Sequence, residues 1–275
     1  MEKETLRKVA LFRNTYRLYK YLLFQPQLAI AILRDRIESH DSSGTPVPPA
    51  RLRHRVHGSL DRQSFLTIGG EAAQNIRDLL ATVGRKMSSF QRVLDFGCGS
   101  GRVLRHFLNE VTVSTQFFGT DIDPEAIGWC QQNIPRVHWS TNGYMPPTSF
   151  QENSFDLIYA NSVFTHLDES FQNAWLHELQ RLAQPGAILL LTVHGEYGCQ
   201  TMSASVQERI RSQGFFYDTR GPTGRFQLNR LPDFYQTSFH TEDYIKREWS
   251  KYFEVLRVVD RAINDYQAAV LLRKR

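Results

Sequence analysis

The sequence contains few cysteines and no long apolar run. Three cysteines occur in 275 residues, and no two of them have the C-x-x-C spacing of a zinc or redox site. This low cysteine content predicts a reducing compartment, which we take to be the cytoplasm, and no metal centre. The longest apolar-rich stretch, residues 21–33, is interrupted by Gln-Pro-Gln, so it is too short and too broken to span a bilayer.

Two common nucleotide-binding patterns are also missing. The most glycine-rich segment is DFGCGSGR, residues 95–102. In the dinucleotide pattern G-x-G-x-x-G the third glycine would fall at Arg102, and the Gly-Lys-Ser/Thr of a P-loop does not follow. The glycine-rich segment is therefore neither a dinucleotide fingerprint nor a nucleoside triphosphate site.

The positive charge of the chain is concentrated in its first 60 residues. Residues 1–60 hold 11 Lys and Arg against 5 Asp and Glu, whereas residues 61–275 hold 22 against 23. Apolar residues at three- and four-residue spacing predict two amphipathic helices there, about 4–24 and 26–38. Three roles are open for these helices: packing on the chain or in a homodimer, binding to a membrane surface, or binding to nucleic acid.

A linker separates this N-terminal segment from the remainder. DSSGTPVPPA, residues 41–50, is rich in Ser, Gly and Pro, and we place a domain boundary after residue 44. The basic cluster RLRHRVHG that follows has no interleaved aromatic residues and belongs to no RNA-binding module. We therefore expect no nucleic-acid partner.

The segment around the three glycines is typical of a strand, a tight turn and a helix. QRVLDF is apolar and runs into glycines at alternate positions, and VLRHFLNEV then has the spacing of an amphipathic helix. Glycine suits such a turn because it adopts unusual φ/ψ values and lets a ligand approach the backbone.

A second strand, in FFGTDIDP, ends at Asp121, and Asp123 and Pro124 have the positions of an N-cap and a first helical residue.

The alternation of strands and helices continues to about residue 195. Strands are predicted over 136–140, 155–160 and 187–193, and the last of these is apolar throughout. Continuous apolar strands are typical of a parallel sheet that is covered on both faces. We therefore predict an α/β, Rossmann-like, doubly wound sheet, mostly parallel, with an antiparallel C-terminal strand and additional N-terminal helices.

The motifs and their order resemble those of class I S-adenosylmethionine (SAM) dependent methyltransferases. DFGCGSG fills every position of motif I, Asp/Glu-x-Gly-x-Gly-x-Gly, and GTDIDP, NSFDLIYANSVFTHL and RLAQPGAILLLTVHG correspond to the later motifs. The resemblance covers about residues 55–272. It implies SAM as the cofactor and a methyltransferase domain over residues 45–275.

The same resemblance assigns residues to the cofactor. It implies that Asp121 accepts the ribose hydroxyls, that Asn142 accepts from the adenine amino group, and that Arg55 pairs with the methionyl carboxylate. It also implies that residues 65–70, with Gly69 and Gly70, form a lid strand or turn. The complete predicted cofactor set is Asp95, Gly97, Cys98, Gly99, Gly101, Arg102, Asp121, Ile122, Asn142, Gly143, Asn161 and Arg55.

Two histidines are candidate catalytic residues. His166 follows the fourth predicted strand and His194 ends the fifth, so both are expected at the edge of the sheet where ligands bind. An unperturbed histidine titrates near pH 6.5, which suits a general base. We predict His194 as the base and place His166 nearer the cofactor, where a structural role is the alternative.

Residues 195–240 interrupt the β-α pattern and are predicted to bind the methyl acceptor. Connections of this length within a domain are usually functional. Candidate acceptor contacts in it are Phe215, Tyr217, Tyr235 and His240.

The resemblance thus implies a SAM-dependent methyltransferase that modifies a small molecule or a saccharide, with oxygen preferred to nitrogen as the target, since similar bacterial enzymes often modify saccharides or specialised metabolites. One alternative is an N-methyltransferase or one that acts on a protein or peptide. Another, from a different class, is a protein that binds SAM as a partner without catalysis.

Overall fold

Strands and helices alternate along most of the described chain. The structure, a computed structural model, describes residues 19, 21–37, 41, 44–109, 115–220 and 232–275. Its strands are β1 (Arg92–Phe96), β2 (Gln116–Asp121), β3 (Val137–Thr141), β4 (Phe155–Ala160), β5 (Ala183–Val193), β6 (Phe215–Asp218), β7 (Thr237–His240), β8 (Glu254–Ile263) and β9 (Gln267–Arg273). Its α-helices are α1 (residues 21–35), α2 (Ala50–His57), α3 (Arg62–Ala81), α4 (Pro124–Asn133), α5 (Glu169–Leu182), α6 (Glu196–Gln200), α7 (Ala204–Gln213) and α8 (Glu242–Glu248).

Seven strands form one sheet in the order β3-β2-β1-β4-β5-β9-β8. Strands β1 to β5 pair in parallel, and β9 pairs antiparallel with both β5 and β8. The predicted Rossmann-like sheet with an antiparallel C-terminal strand is therefore confirmed. The strand order reverses between β1 and β4, and a ligand crevice is expected at the carboxyl ends of the strands there.

The central strands are apolar on both faces. Val93 of β1 and Leu157 of β4 belong to one hydrophobic cluster, and the next residues, Leu94 and Ile158, belong to another on the opposite face. Successive side chains of a strand point to opposite faces. This double burial explains the apolar runs that predicted a parallel sheet.

The segment after the glycine turn corrects a prediction. The sequence predicts an amphipathic helix over VLRHFLNEV, whereas the described residues form only the 3-10 turn Leu104–Phe107. Arg105, 4% exposed, turns inward and donates to the carbonyls of Thr45 and Pro46. Since its polar side is buried too, this segment has no solvent-facing side of the kind that an amphipathic helix presents.

The N-terminal helices also differ from the prediction. Instead of ending near residue 24, α1 continues through Pro26, while residues 1–18 lie outside the described residues. Proline has a helical φ but removes one N–H, and an exposed helix tolerates this when water solvates the freed carbonyl. Leu22, four residues before Pro26, is exposed. Among the described residues, no helix has both the length and the apolar character needed to cross a bilayer.

Two buried arginines connect the end of the N-terminal segment to the rest of the chain. Arg53 Nη1 lies 2.8 Å from Asp35 Oδ1, and Arg105 Nη2 lies 3.0 Å from Asp41 Oδ2. Both carboxylates precede the predicted boundary after residue 44, and both arginines follow it. Removing one partner of a buried ion pair is costly. The boundary remains a prediction, and the two ion pairs show that the chain before it contacts the chain after it.

The predicted insertion, residues 195–240, contains α6, α7 and the hairpin of β6 and β7. Helix α7 occupies most of the segment SASVQERIRSQ within this insertion. An isolated bridge between His194 and Phe239 joins β7 to the end of β5. The hairpin therefore lies beside the carboxyl edge of the sheet.

Candidate active site

The glycines of DFGCGSG all have left-handed φ angles. The angle is 76° at Gly97, 52° at Gly99 and 73° at Gly101, a region in which a side chain is strained. A Cβ on Gly97 would lie 2.2 Å from Val163 Cγ2, and a Cβ on Gly99 would lie 2.6 Å from Val56 Cγ2. The turn after β1 therefore needs glycine both for its backbone and for its space.

Asp121, at the end of β2, holds the glycine turn in place. Its Oδ2 accepts the Gly99 N–H at 2.7 Å, and its Oδ1 accepts the Asp123 N–H at 2.9 Å. Burial raises the pKa of Asp121 to about 6, although the backbone N–H groups favour its charged form. Each carboxylate oxygen keeps a second lone pair with which to accept a ligand hydroxyl.

Three predicted cofactor residues lie behind the turn instead of in the pocket. Asp95 is 2% exposed beside Tyr159, and burial raises its pKa to about 8. Burial also raises the pKa of the Cys98 thiol well above its usual value, which makes the thiol unreactive. Gly101 faces Trp139, whose ring would lie 3.2 Å from a Cβ there. These residues shape the turn from behind.

A pocket opens where the crevice is expected, at the carboxyl ends of the central strands. The predicted residues that line it are Arg55, Gly97, Gly99, Arg102, Asp121, Ile122, Asn142 and Asn161. The other lining residues are Val56, Phe96, Asp123, Tyr144, Ser162, Val163, Leu167, Trp175, Phe234 and Tyr235. Gly143 and both candidate histidines are not among the lining residues.

Arg55 reaches the pocket from α2, but two acids of the chain already bind it. Its Nη1 lies 2.7 Å from Asp123 Oδ2, and its Nη2 pairs with Glu125. Burial alone would lower the pKa of Arg55. The hydrogen bonds to Asp123 and Glu125 outweigh the effect of burial, so the pKa is raised. A methionyl carboxylate would have to compete with both acids, so the contact predicted for Arg55 stays a prediction.

Three buried polar atoms of pocket residues have no hydrogen-bond partner among the described residues. One is Nε of Arg55, whose other nitrogens bind Asp123 and Glu125, and the other two are Nε of Arg102 and Oδ1 of Asn161. Arg102 is 7% exposed, and burial lowers its pKa while the charge of Asp95 opposes that shift. Unpaired buried polar atoms are costly. A ligand with one carboxylate and one ammonium group, such as an amino-acid moiety, fits the unpaired atoms of Arg102 and Asn161.

The backbone after Asn161 is held in an uncommon conformation. Ser162 has φ 64°, which few residues other than glycine adopt. Its N–H donates to Thr192 Oγ1 at 2.7 Å, and Gln267 Nε2 donates to its Oγ at 2.8 Å. The Tyr235 hydroxyl donates to its carbonyl at 3.1 Å. These contacts hold the strained residue and thereby orient Asn161, a pattern common at ligand sites.

Asn142 follows β3, where the resemblance predicts adenine recognition. Thr120 Oγ1 donates to Asn142 Oδ1 at 3.0 Å, and Asn142 Nδ2 donates to the Gly143 carbonyl at 2.8 Å. The amide oxygen therefore keeps one lone pair for another donor. The adenine contact of Asn142 stays a prediction.

Three aromatic residues, Tyr144, Phe234 and Tyr235, form an aromatic wall along the pocket. The rings of Tyr144 and Phe234 are 5.3 Å apart, and Phe234 stacks on Phe171 at 4.8 Å. Tyr235 stacks on His166 at 4.1 Å. The aromatic wall thus ties the insertion to α5 and to the loop after β4.

Both candidate histidines lie beside β7, with their ring centroids 6.2 Å apart. Nδ1 of His166 is 2.6 Å from the Gln236 carbonyl oxygen, and Nδ1 of His194 is 3.1 Å from that of Ser238. Because a carbonyl only accepts, Nδ1 carries the proton and Nε2 is the basic nitrogen of each neutral ring. Burial lowers the pKa of His166 to about 4 and also lowers that of His194. Both rings are therefore neutral at pH 7.

The other predicted acceptor contacts have different surroundings. Tyr235 lines the pocket, whereas Phe215, Tyr217 and His240 do not. His240 is fully buried, and its Nε2 is 2.9 Å from Gln172 Oε1. It therefore holds the hairpin onto α5, a role that the sequence does not indicate.

The lid predicted over residues 65–70 is wrong, because those residues lie within α3. A Cβ on Gly69 would lie 2.4 Å from the Arg102 carbonyl oxygen. Gly69 is required for the close approach of a helix to the glycine turn, and not for a bend. A glycine needed for close packing and a glycine needed for a turn are indistinguishable in a single sequence.

Sequence reasoning missed several pocket residues. Val56 and Phe234 belong to none of the methyltransferase motifs, and Ser162 and Val163, although they lie within NSFDLIYANSVFTHL, are not among the residues predicted from it. Val56 reaches the glycine turn only because α2 packs there, and the one special feature of Ser162, its positive φ, has no counterpart in its residue type.

Comparison with known proteins identifies a methyltransferase domain in the chain. A profile of the methyltransferase domain matches residues 93–186. The chain is 28% identical over 158 residues to the mitochondrial arginine-hydroxylase NDUFAF5 of Mus musculus, covering 56% of this chain and 43% of that protein. It is 24% identical over 200 residues to the tRNA N(3)-methylcytidine methyltransferase trm140 of Schizosaccharomyces pombe, covering 70% and 64%. The chain thus spans less than two thirds of these curated relatives.

The fold is shared with solved methyltransferase structures. Magnesium protoporphyrin IX methyltransferase from Synechocystis PCC 6803, with bound SAH, superposes with a TM-score of 0.53 at 17% identity, covering 82% of this chain and 93% of that one. Residues 93–186, which begin in β1 and reach into β5, thus match the methyltransferase domain, and the strand order of the sheet is that of a fold shared with solved methyltransferases.

Proposed function

We propose that the chain transfers a methyl group from SAM to an oxygen atom of a small-molecule or saccharide acceptor. The observation that carries this proposal is the aromatic wall, which closes one side of the pocket. Enclosed pockets lined by aromatic residues and a few polar groups are typical of small ligands. A folded protein or an RNA strand would need a more open groove.

The polar atoms of the pocket support a position for the cofactor. Asp121 accepts the ribose hydroxyls with its remaining lone pairs. Arg102 Nε donates to the methionyl carboxylate, and Asn161 Oδ1 accepts from the ammonium group, which would satisfy two of the three unpaired atoms. When bound, SAM supplies an electrophilic methyl group on a sulfonium. The residues around it therefore contribute mainly alignment.

His194 is the proposed general base. Its Nδ1 faces the Ser238 carbonyl, which leaves Nε2 to take the acceptor proton. His166 stacks on Tyr235, a pocket residue, and this supports its assignment nearer the cofactor. Burial lowers the pKa of His166 to about 4, so this ring is a weak base.

Incubation with methyl-labelled SAM and a fractionated cell extract tests the acceptor class. We expect the label in the low-molecular-mass or saccharide fraction, as an oxygen-linked methyl group by mass spectrometry. Label in the protein or RNA fraction would contradict the proposed acceptor. The RNA fraction is included because one relative is a tRNA methyltransferase. A heat-denatured sample of the chain is the control.

Replacing the two histidines separates their proposed roles. His194→Ala is expected to lower the transfer rate about 10² to 10⁴-fold with little change in the affinity for S-adenosylhomocysteine (SAH), because only the base is lost. His166→Ala is expected to weaken SAH or acceptor binding more than it slows transfer, because Tyr235 loses its stacking partner. Labelled-product assays and calorimetry measure the two effects.

The pH dependence of the rate gives a second readout. The neutral ring is the active base, and burial lowers the pKa of His194 below 6.5. The rate should therefore fall as the pH drops through that lowered value, and His194→Ala should lose this acidic limb. If both variants match the wild type at every pH, alignment alone accounts for transfer and no general base acts.

A further inference from the structure

Helix α1 carries an apolar stripe on its solvent side. At 3.6 residues per turn, four large, exposed apolar side chains of α1 fall within an arc of about 100°, and two more, those of Tyr19 and Ile37, lie just beyond the ends of the helix. These residues, the apolar stripe, are Tyr19, Leu22, Leu23, Ile30, Leu33 and Ile37, with exposed fractions from 49% to 86%. Leu28, 8% exposed, lies on the opposite side of the helix. The other large apolar side chains that are exposed in the described residues are few and scattered: Ile32, Tyr144, Met145 and Tyr266.

The inner side of α1 is fastened, so the direction of the apolar stripe is fixed. The Phe24 and His54 rings lie 4.5 Å apart. At the end of the helix, Asp35 binds Arg53 at 2.8 Å and accepts the Ala50 N–H at 2.8 Å. Because these contacts use the inner side, the helix cannot turn the apolar stripe inward without breaking a buried ion pair.

The charged residues that lead into α1, between positions 5 and 33, are of one sign. Residues 5–33 contain five basic residues and no Asp or Glu. The basic residues are Arg7, Lys8, Arg13, Arg17 and Lys20. The sequence that directly precedes the apolar stripe is therefore positively charged, and an anionic partner would attract it.

Charge decides between two possible occupants of the apolar stripe. A second copy of α1, as in the homodimer expected from the sequence, would bring two basic segments together without an acidic residue in 5–33 to pair with them. An anionic bilayer offers both an apolar interior and negative headgroups, and interfacial helices combine an apolar side with Lys and Arg in this way. We propose that the apolar stripe of α1 docks the protein on an anionic membrane surface, with the helix lying along the interface.

Vesicle co-sedimentation of the full chain tests this proposal. We expect binding to phosphatidylcholine vesicles that contain about 30% phosphatidylglycerol, and little binding to phosphatidylcholine alone, because Lys and Arg gain attraction only at an anionic surface. Raising NaCl to about 1 M should weaken binding, since the Debye length falls to about 3 Å.

Substitutions on α1 provide a matched comparison. The double change Ile30→Gln and Leu33→Gln should weaken vesicle binding at least about tenfold, because two inserting side chains are lost. Ile32→Gln changes the same residue type on the same helix, but Ile32 lies off the apolar stripe and should leave binding within about twofold. All three positions are exposed, so thermal unfolding should be unchanged.

Three outcomes would overturn the proposal. They are the absence of vesicle binding, equal binding to neutral and anionic vesicles, and equal effects of the two sets of substitutions. Light scattering on the same samples measures whether the chain forms a dimer. If the wild type is a dimer that does not bind vesicles, and the double variant is a monomer, the apolar stripe belongs to a homodimer interface instead.

Discussion

Replacing Asp121 with alanine is expected to lower the affinity for SAH at least about 100-fold. Hydrogen bonds to a charged group contribute about 1.5–3 kcal/mol each, and two ribose hydroxyls would lose their acceptor. The change also removes the acceptor of the Gly99 N–H, so the glycine turn loses the contact that holds it at 2.7 Å. Calorimetric titration with SAH measures the combined effect.

Asp156 offers a matched control for this substitution. Its Oδ2 and Oδ1 accept the N–H groups of Gln91 and Arg92, at 2.7 and 2.8 Å. It is thus an aspartate that binds two backbone donors, as Asp121 does. It belongs to β4, however, and lies beside the amino end of β1, away from the pocket. Asp156→Ala should lower the melting temperature and leave the SAH affinity unchanged. An unchanged affinity in Asp121→Ala would show that the wrong acid has been chosen.

Replacing Gly97 with alanine is expected to destabilise the protein and to weaken SAH binding at least about tenfold. The left-handed φ of 76° costs a side chain about 1–2 kcal/mol. The new Cβ would also overlap Val163 Cγ2 at 2.2 Å, and Val163 directly follows the strained Ser162. Relief of this overlap must displace the Val163 side chain, which lies next to the backbone that orients Asn161.

A substitution at Gly186 separates the effect of backbone strain from the effect of the contact with Val163. Its φ is 77°, almost that of Gly97, but nothing lies within 4 Å of a Cβ built on it. Gly186→Ala should therefore show the backbone strain alone, as a lower melting temperature with the wild-type affinity for SAH. Equal losses of SAH affinity in both variants would show that the close contact with Val163 has no role in binding.

Features with local causes could be predicted from the sequence. The Asp123 side chain accepts the N–H groups of Glu125 and Ala126 at the start of α4, as an N-cap followed by proline predicts. The β4 strand matches its predicted span of 155–160, because burial of both faces makes it a continuous apolar run. In both cases neighbouring residues determine the structure.

Features with distant causes could not be predicted. Arg55 binds Asp123 and Glu125, about 70 residues further along the chain, and no pattern in a single sequence pairs them. Ser162 adopts its positive φ because Thr192 and Gln267 hold it, and both arrive from other strands. Tertiary contacts override local preference at such positions, and these are the positions that shape the pocket.

Calorimetric titration of the wild-type chain with SAH and with NAD is the most direct test of the proposed cofactor site. The glycine turn with Asp121, Arg102 and Asn161 predicts SAH binding in the micromolar range, about −8 kcal/mol, and no measurable binding of NAD. Binding of NAD without binding of SAH would contradict the assignment of this pocket to SAM.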